Sequence, residues 1–197
     1  QARERMIIIG AQQEFDFDIL LAHAHDRIEL QYPTFFYPVT VWDAISNLPA
    51  PTENGIVENL LAENTYQEFL ANDGKTFNHT QSHHSDIAIA RMQQIAVDEN
   101  FTVLNEDIHS VHSGSYGRLN PNGIASTVTT RFDTPSGGKF IHPYENRTIT
   151  PREAARIQSF PDSFEFMGNK TVICRQIGNA VPPKLAYVVA NMIEELL

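Results

Sequence analysis

The sequence predicts an α/β fold with a small β-rich unit in its second half. Residues 6–9 form a short apolar run rich in isoleucine that ends at Gly10. Because these residues do not alternate with polar ones, the run is typical of a strand covered on both faces. Helical periodicity follows in the middle of the chain, and turn residues with short β-prone runs dominate after residue 111.

The composition is that of a globular protein without a membrane span. The chain has 197 residues, 42% of them hydrophobic, and no apolar run approaches the ~18 residues that a membrane helix needs. A single cysteine leaves no internal disulfide and suits a reducing compartment, so we expect a cytoplasmic, bacterial-type location. Because the chain opens on Gln1 rather than Met, we expect its start to be a cut, a processed end or a junction.

Charge is distributed unevenly along the chain. The net charge of −10 argues against a nucleic-acid partner, because phosphate contacts need Lys and Arg. Residues 1–110 hold 5 basic and 17 acidic side chains, whereas residues 111–184 hold 9 basic and 5 acidic ones. The second half is therefore where a local field could favour DNA.

Three helices are predicted in the first hundred residues. Thr40, with Asp43 three residues later, forms a capping pattern before an apolar helical face. A second helix is predicted to begin at Ile56, and Ser85 is predicted to cap a third. The inner face of the third helix would consist of Ala88, Met92 and Ile95.

The pattern after residue 111 predicts a small β unit with loops. A turn rich in Asn, Pro and Gly at 120–123 precedes residues 127–132, which have the composition of a strand. Since strand side chains alternate between faces, Thr127, Thr129 and Arg131 would share one face. Hydroxyl and guanidinium groups on one face suit contacts with phosphates and base edges.

Two helices are predicted in the last fifty residues. Thr150 can cap a helix whose first residue is Pro151 and in which Glu153 completes a capping box, and Pro161 should end it. A strand-like segment would then lead to a final helix that opens at Pro182. The apolar stripe of this last helix comprises Leu185, Val188, Val189, Met192, Ile193 and Leu196.

Three blocks of the chain resemble motifs of one protein family and occur in its order. Residues 1–5 read Gln-Ala-Arg-Glu-Arg, residues 147–162 contain Thr-Pro-Arg-Glu-Ala-Ala-Arg, and residues 176–183 contain Gly-Asn-Ala-Val-Pro-Pro. A fourth segment, Gly-Ile-Ala-Ser-Thr-Val at 123–128, resembles the family's Thr-Leu/Val element. Together these blocks make the chain similar to the DNA cytosine-C5 methyltransferases.

The resemblance implies the C-terminal portion of a Rossmann-like methyltransferase with a small β-rich target-recognition domain. Residues 1–48 would complete the catalytic-domain sheet and form a linker, and residues 49–162 would be the target-recognition domain with a helical insertion. Residues 163–197 would return to the catalytic domain, on which the final helix would pack. The implied activity transfers a methyl group from S-adenosylmethionine to C5 of a cytosine in double-stranded DNA.

Such an enzyme must extrude its cytosine from the duplex, because stacking hides the C5 and C6 atoms. By resemblance, Arg3 and Arg5 would serve catalysis. Arg5 would lie in the base pocket, where a guanidinium offers forked donors, and Arg3 would support it. Asn179 and Ala180 would lie beside the methionine part of S-adenosylmethionine. The residues implied to contact DNA are Thr127, Arg131, Arg118 and Lys139.

Other residues of the blocks are predicted to be architectural. Arg152, Glu153 and Arg156 would lock the small domain in place rather than touch a base. Cys174 follows two apolar residues and is predicted to be a small packing residue. The cluster of His79, His83 and His84 has metal-like spacing, but no cysteine or carboxylate completes a ligand set, so no metal is predicted.

The sequence lacks the blocks that carry the family's bond-making chemistry. It contains no cofactor loop of the Phe-x-Gly-x-Gly kind, no Pro-Cys nucleophile and no Glu-Asn-Val block. We therefore expect this chain alone to be inactive, with S-adenosylmethionine bound mainly by a missing N-terminal catalytic portion in the same or a separate chain. Three alternatives stay open: a piece of one long enzyme, a natural subunit of a split methyltransferase, or a standalone DNA-binding module without catalysis.

Overall fold

The computed structural model describes residues 6–58, 60–71, 74–106, 108 and 113–197. The described residues divide into two compact units, one spanning 39–180 and the other combining 6–38 with Val181–Leu197. These boundaries differ from those predicted at 48/49 and 162/163, and the functional roles assigned to the three predicted segments stay predictions. None of the described helices combines the length and apolarity that crossing a membrane requires.

The smaller unit pairs the helices α1 (Phe17–Gln31) and α7 (Pro183–Glu194). Asp16 caps α1 by accepting hydrogen bonds from the amides of Asp18 and Ile19. Leu20 and Ala24 of α1 and Met192 of α7 form its buried cluster. The sequence predicted α7 but missed α1, although the spacing of Leu20, Ala24 and Ile28 is helical.

The predicted strand at residues 6–9 is wrong, because these residues form no strand in the structure. Met6 and Ile8 are 88% and 87% exposed, whereas Ile9 packs against the buried cluster of the smaller unit. A strand needs a hydrogen-bonding neighbour, and none of the described residues supplies one.

The larger unit begins with short elements. These are α2 (Val41–Ile45), β1 (Val57–Glu58), α3 (Thr65–Leu70), β2 (Lys75–Thr76) and α4 (Asp86–Gln93). Thr40 and Asp43 form the predicted capping box, and Ser85 caps α4 as predicted. The predicted helix start at Ile56 is wrong, because β1 follows it and pairs antiparallel with β2.

The segment 113–149 is rich in loops rather than in strands. Isolated bridges join Ile141 to Arg118 in parallel and to Thr148 in antiparallel orientation. Residues 127–132 form no strand either. Ala125, Val128 and Phe132 are buried at spacings of three and four residues, so the chain turns between anchors instead of alternating between two faces.

Two helices complete the larger unit. Helix α5 (Pro151–Ile157) begins at the predicted capping box of Thr150 and Glu153, and every residue in it is buried. It ends well before Pro161, and the left-handed φ of +65° at Ser159 turns the chain. Helix α6 (Lys170–Asn179) replaces the predicted strand-like segment, because Asn169 caps it and Cys174, Ile177 and Gly178 form a helical inner face.

A buried ion pair fixes the start of α5. Arg147 donates to both carboxylate oxygens of Glu153 at 2.8 Å, and the same carboxylate accepts from the amide of Thr150 at 2.7 Å. Burial raises the pKa of Glu153, but the hydrogen bonds and charge of Arg147 outweigh burial and lower this pKa to about 2. Arg147 and Glu153 are 5% and 2% exposed, so little solvent screens the pair.

We predict that this pair makes the chain sensitive to acid. Because the folded-state pKa of Glu153 is depressed, its stabilisation is present above the unfolded value near 4.5 and is lost as pH falls toward 2. Replacing it, Glu153→Gln, should lower the free energy of unfolding at pH 7 by about 3 kcal/mol and flatten its pH dependence between these limits. Urea unfolding at several pH values measures both effects.

Glu145→Gln is the matched control, since Glu145 is a half-exposed partner of the same arginine. This change should reduce stability much less, because solvent screens the Glu145 carboxylate. An unaltered pH slope in Glu153→Gln would contradict the assignment of the acid sensitivity.

Candidate functional site

The basic residues of the segment 111–184, where basic side chains outnumber acidic ones, fall into two groups. Four of its arginines, Arg118, Arg147, Arg152 and Arg156, are at most 5% exposed and bind groups inside the unit. Their guanidinium groups are therefore committed to contacts inside the unit. The number of basic residues in the second half thus overestimates the positive charge that is accessible to a ligand.

Arg118 is engaged entirely within the protein. Its five N–H donors bind the main-chain oxygens of Met92, Ile95, His142 and Glu145 and the side-chain oxygen of Asn146, at 2.7–2.8 Å. Burial lowers the pKa of its guanidinium. Because this geometry leaves no N–H donor for DNA, Arg118 is unsuited to the DNA contact that the resemblance implied.

Helix α5 uses its arginines in the architectural way that the sequence predicted. Arg152 donates to the main-chain oxygens of Phe77, Pro161 and Phe164. Arg156 binds both carboxylate oxygens of Asp162, at 2.8 and 2.6 Å, and reaches α2 through the main-chain oxygen of Ala44 and the side chain of Asn47. The helix thus joins segments that are distant in sequence.

Arg131 differs from these internal arginines. Its side chain is 67% exposed, and the nearest carboxylate oxygen, in Asp133, lies 3.9 Å from its Nε atom. Thr129, two residues earlier, is exposed and accepts a hydrogen bond from the Arg131 amide at 3.3 Å. This loop presents both a cation and a hydroxyl, which are groups that bind phosphates.

The other predicted DNA contacts are less open. Thr127 is partly buried. Lys139 is 29% exposed at its side chain and forms an ion pair with Asp98. Arg175 of α6 is exposed and was not singled out from the sequence, where nothing distinguishes it from an ordinary surface arginine. Arg3 and Arg5 lie outside the described residues, so their roles stay predictions.

The two predicted cofactor residues lie at the end of α6. Asn179 is its last residue and is exposed, and Ala180 is the C-cap. Asn179 is exposed, so its carboxamide is accessible to a ligand. A helix C-terminus also carries partial negative charge, which favours a cationic group nearby.

Cys174 lies in the core of the larger unit and is not exposed. Burial raises the pKa of its thiol to about 12. Since the thiolate is the reactive form of cysteine, this residue is unsuited to act as a nucleophile, in agreement with its predicted packing role.

Two of the three clustered histidines, His79 and His84, have different partners, and His83 is exposed. His79 is buried between the side-chain oxygen of Thr150, at 3.0 Å, and the main-chain oxygen of Pro49, at 2.7 Å. His84 accepts a hydrogen bond from the Thr148 amide at 3.2 Å. Burial lowers the pKa of both rings. Among the described residues, no group of three or more His, Cys, Asp or Glu side chains could hold a metal ion.

Comparison with known proteins assigns the family. The model of the C-5 cytosine-specific DNA methylases matches residues 1–195. The type II methyltransferase M.DdeI of Desulfomicrobium norvegicum is 31% identical over 220 residues, which include 98% of this chain and 50% of that protein. The chain therefore belongs to the C-5 cytosine-specific DNA methylase family.

Eukaryotic relatives and a solved structure agree with this family. DNA (cytosine-5)-methyltransferase 1 of Mus musculus is 46% identical over 83 residues, which are 41% of this chain and 5% of that protein. A crystal structure described as a DNA modification methyltransferase encoded within an E. coli prophage has a TM-score of 0.59 and 30% identity. That match covers 81% of this chain and 47% of the other, and the fold is thus compatible with an α/β methyltransferase.

The chain spans about half the length of M.DdeI and of the prophage protein. The family's general activity is the transfer of a methyl group from S-adenosylmethionine to C5 of cytosine in DNA.

We predict that two arginine substitutions separate structure from recognition. Arg118→Ala should lower the free energy of unfolding by about 3 kcal/mol or more, because it leaves several buried carbonyl groups without a donor. Arg131→Ala, on an exposed side chain, should change stability by less than about 0.5 kcal/mol. Thermal or urea unfolding measures both, and equal losses in the two variants would contradict the division of these arginines into two groups.

Proposed function

We propose that this chain supplies the DNA-recognition portion of a DNA (cytosine-5-)-methyltransferase. The observation that carries the proposal is the exposure of Thr129 and Arg131 in the loop of residues 127–131, the recognition loop. This loop continues from the segment 123–128, which resembles the family's Thr-Leu/Val element. The four buried arginines of the same half cannot take this role. We infer that Thr127 and Arg131 contact the DNA backbone or base edges, with Lys139 as a peripheral contact.

The described residues fit a limited part of the cofactor. The carbonyl oxygen of the Asn179 carboxamide could accept from the ammonium group of the methionine part of S-adenosylmethionine, and its NH2 group could donate to the carboxylate. When bound, the cofactor supplies the methyl group. Asn179 and the main chain at Ala180 would orient it, and most of its contacts would come from polypeptide outside this chain.

We infer that catalysis needs a nucleophile, and the rest of a base pocket, from outside this chain. Cys174 is buried and holds its proton firmly, and the sequence contains no Pro-Cys block. We infer that Arg3 and Arg5 would join a base pocket whose nucleophile comes from another stretch of polypeptide. The chain would then contribute DNA positioning and part of the cofactor site.

The isolated 197-residue chain is therefore expected to transfer no methyl groups. The measurement is incorporation of a radioactive methyl group from S-adenosylmethionine into double-stranded DNA, with M.DdeI as the positive control. Incorporation that is lost on the substitution Cys174→Ala would contradict the inference that the nucleophile comes from elsewhere, because Cys174 would then be the nucleophile.

Two alternatives use the same recognition surface. The chain could be a natural subunit that completes an active site with a separate catalytic chain, or a DNA-binding module without catalysis. A cofactor-loop sequence immediately upstream in frame supports one continuous enzyme, and such a sequence in a neighbouring reading frame supports a split enzyme. If neither location holds one, the binding module is favoured.

Arg131→Ala is predicted to weaken DNA binding by the enzyme produced from its natural locus. Loss of one phosphate contact should reduce the slope of log affinity against log salt by about 1. Lys75→Ala is a matched control, because it removes an exposed cation that belongs to β2 and pairs with Glu58 of β1 rather than belonging to the loop. Titration of a labelled duplex at several salt concentrations measures the slope, and equal effects of the two substitutions would contradict a specific role for the loop.

A further inference from the structure

The C-terminal end of α6 approaches the main chain of the recognition loop very closely. A Cβ atom placed on Gly178 would lie 2.6 Å from the carbonyl carbon and oxygen of Thr129 and from the amide nitrogen of Thr130. Real Cβ atoms essentially never show contacts this short, and main-chain atoms cannot rotate away as a flexible side chain can. Gly178 therefore sets how near the helix and the loop can come.

Helical conformation does not by itself require a glycine at this position. Gly178 lies within α6, and its φ is not among the positive values of the chain. Inside a helix, glycine is less favourable than alanine by about 0.5–1 kcal/mol. The close approach to the loop, rather than backbone geometry, explains the residue.

A second glycine also lies very close to the main chain of the loop. A Cβ atom on Gly137 would lie 2.1 Å from the main-chain oxygen of Arg131. Val128 and Phe132, at 1% and 0% exposure, anchor the chain on either side of the exposed residues. The main chain at 129–131 is thus closely approached by two glycines, while the Arg131 side chain reaches solvent.

The end of α6 is itself attached to α5. The buried side chain of Gln158 donates a hydrogen bond to the main-chain oxygen of Ile177, immediately before Gly178. The amide of Ala180 donates to the same oxygen at 3.2 Å. These bonds hold the helix end in place against the loop.

We propose that Gly178 is a positioning residue for DNA recognition. Because Gly178 has no side chain, α6 can lie directly against the main chain at Thr129 and Thr130. This contact sets the position from which Arg131 contacts DNA. The same contact places the recognition loop beside Asn179, the candidate cofactor residue. The proposal rests on the DNA-binding role of the loop proposed above.

The test is Gly178→Ala in the enzyme expressed from its natural locus, so that any accompanying polypeptide is present. The added methyl group must separate the helix from the loop, and the dissociation constant for a labelled duplex should rise about tenfold or more. Gly114→Ala is the matched control, because its Cβ would meet its nearest atom at 3.7 Å, an ordinary contact. This control should change the dissociation constant less than about twofold.

A double-mutant cycle separates positioning from general damage. If Gly178 acts through Arg131, adding Gly178→Ala to Arg131→Ala should weaken DNA binding by less than about twofold beyond Arg131→Ala alone. If each substitution weakens DNA binding by its full factor in the double variant, so that the two factors multiply, the proposal is overturned. Binding that Arg131→Ala leaves unchanged would refute the proposed role of the loop, whereas a loss in Arg131→Ala with none in Gly178→Ala overturns only the positioning role.

Gln158→Ala decides the question if Gly178→Ala does not fold. This change removes the bond to the Ile177 oxygen and leaves Gly178 in place, so the helix end gains freedom without a steric clash. The dissociation constant should rise about threefold to tenfold, and the rise should vanish in the Arg131→Ala background. Lower thermal stability with unchanged DNA affinity would overturn the positioning role.

Discussion

The larger unit depends on hydrogen bonds that buried guanidinium groups donate to the main chain and to carboxylates. Main-chain carbonyl groups inside a protein need hydrogen-bond donors. The described residues of the larger unit include few paired strands, so hydrogen bonds between strands supply few of these donors. Arg118 and Arg152 provide these donors to loop and helix-end oxygens. Arg147 and Arg156 bind buried carboxylates. Buried polar contacts therefore stabilise the unit together with its apolar core.

The local parts of this arrangement could be predicted from the sequence. The capping boxes at Thr40 and Thr150 need only residues three positions apart, and both form. The interior position of Arg118 could not be predicted, because its five acceptors come from segments more than twenty residues away. Residues 127–132 looked like a strand because they are rich in Thr and Val, but burial of Val128 and Phe132 overrides that propensity.

Family resemblance identified the segments of the candidate site but not the work of each residue. It placed Arg118 and Arg131 together as DNA contacts, and burial separates them. It also marked the Gly-Asn pair at the end of α6, where the sequence alone gives no reason for the glycine. That reason is a main-chain contact with a loop about fifty residues earlier, which no pattern of neighbouring residues reveals.

The buried thiol of Cys174 has a practical consequence. It is the one cysteine in the sequence, and an inaccessible, firmly protonated sulfur reacts slowly with maleimides and iodoacetamides. A cysteine engineered at an exposed position of the folded chain could therefore be labelled selectively with a fluorophore or spin label. Motion of the recognition loop could then be followed spectroscopically without first removing the native cysteine.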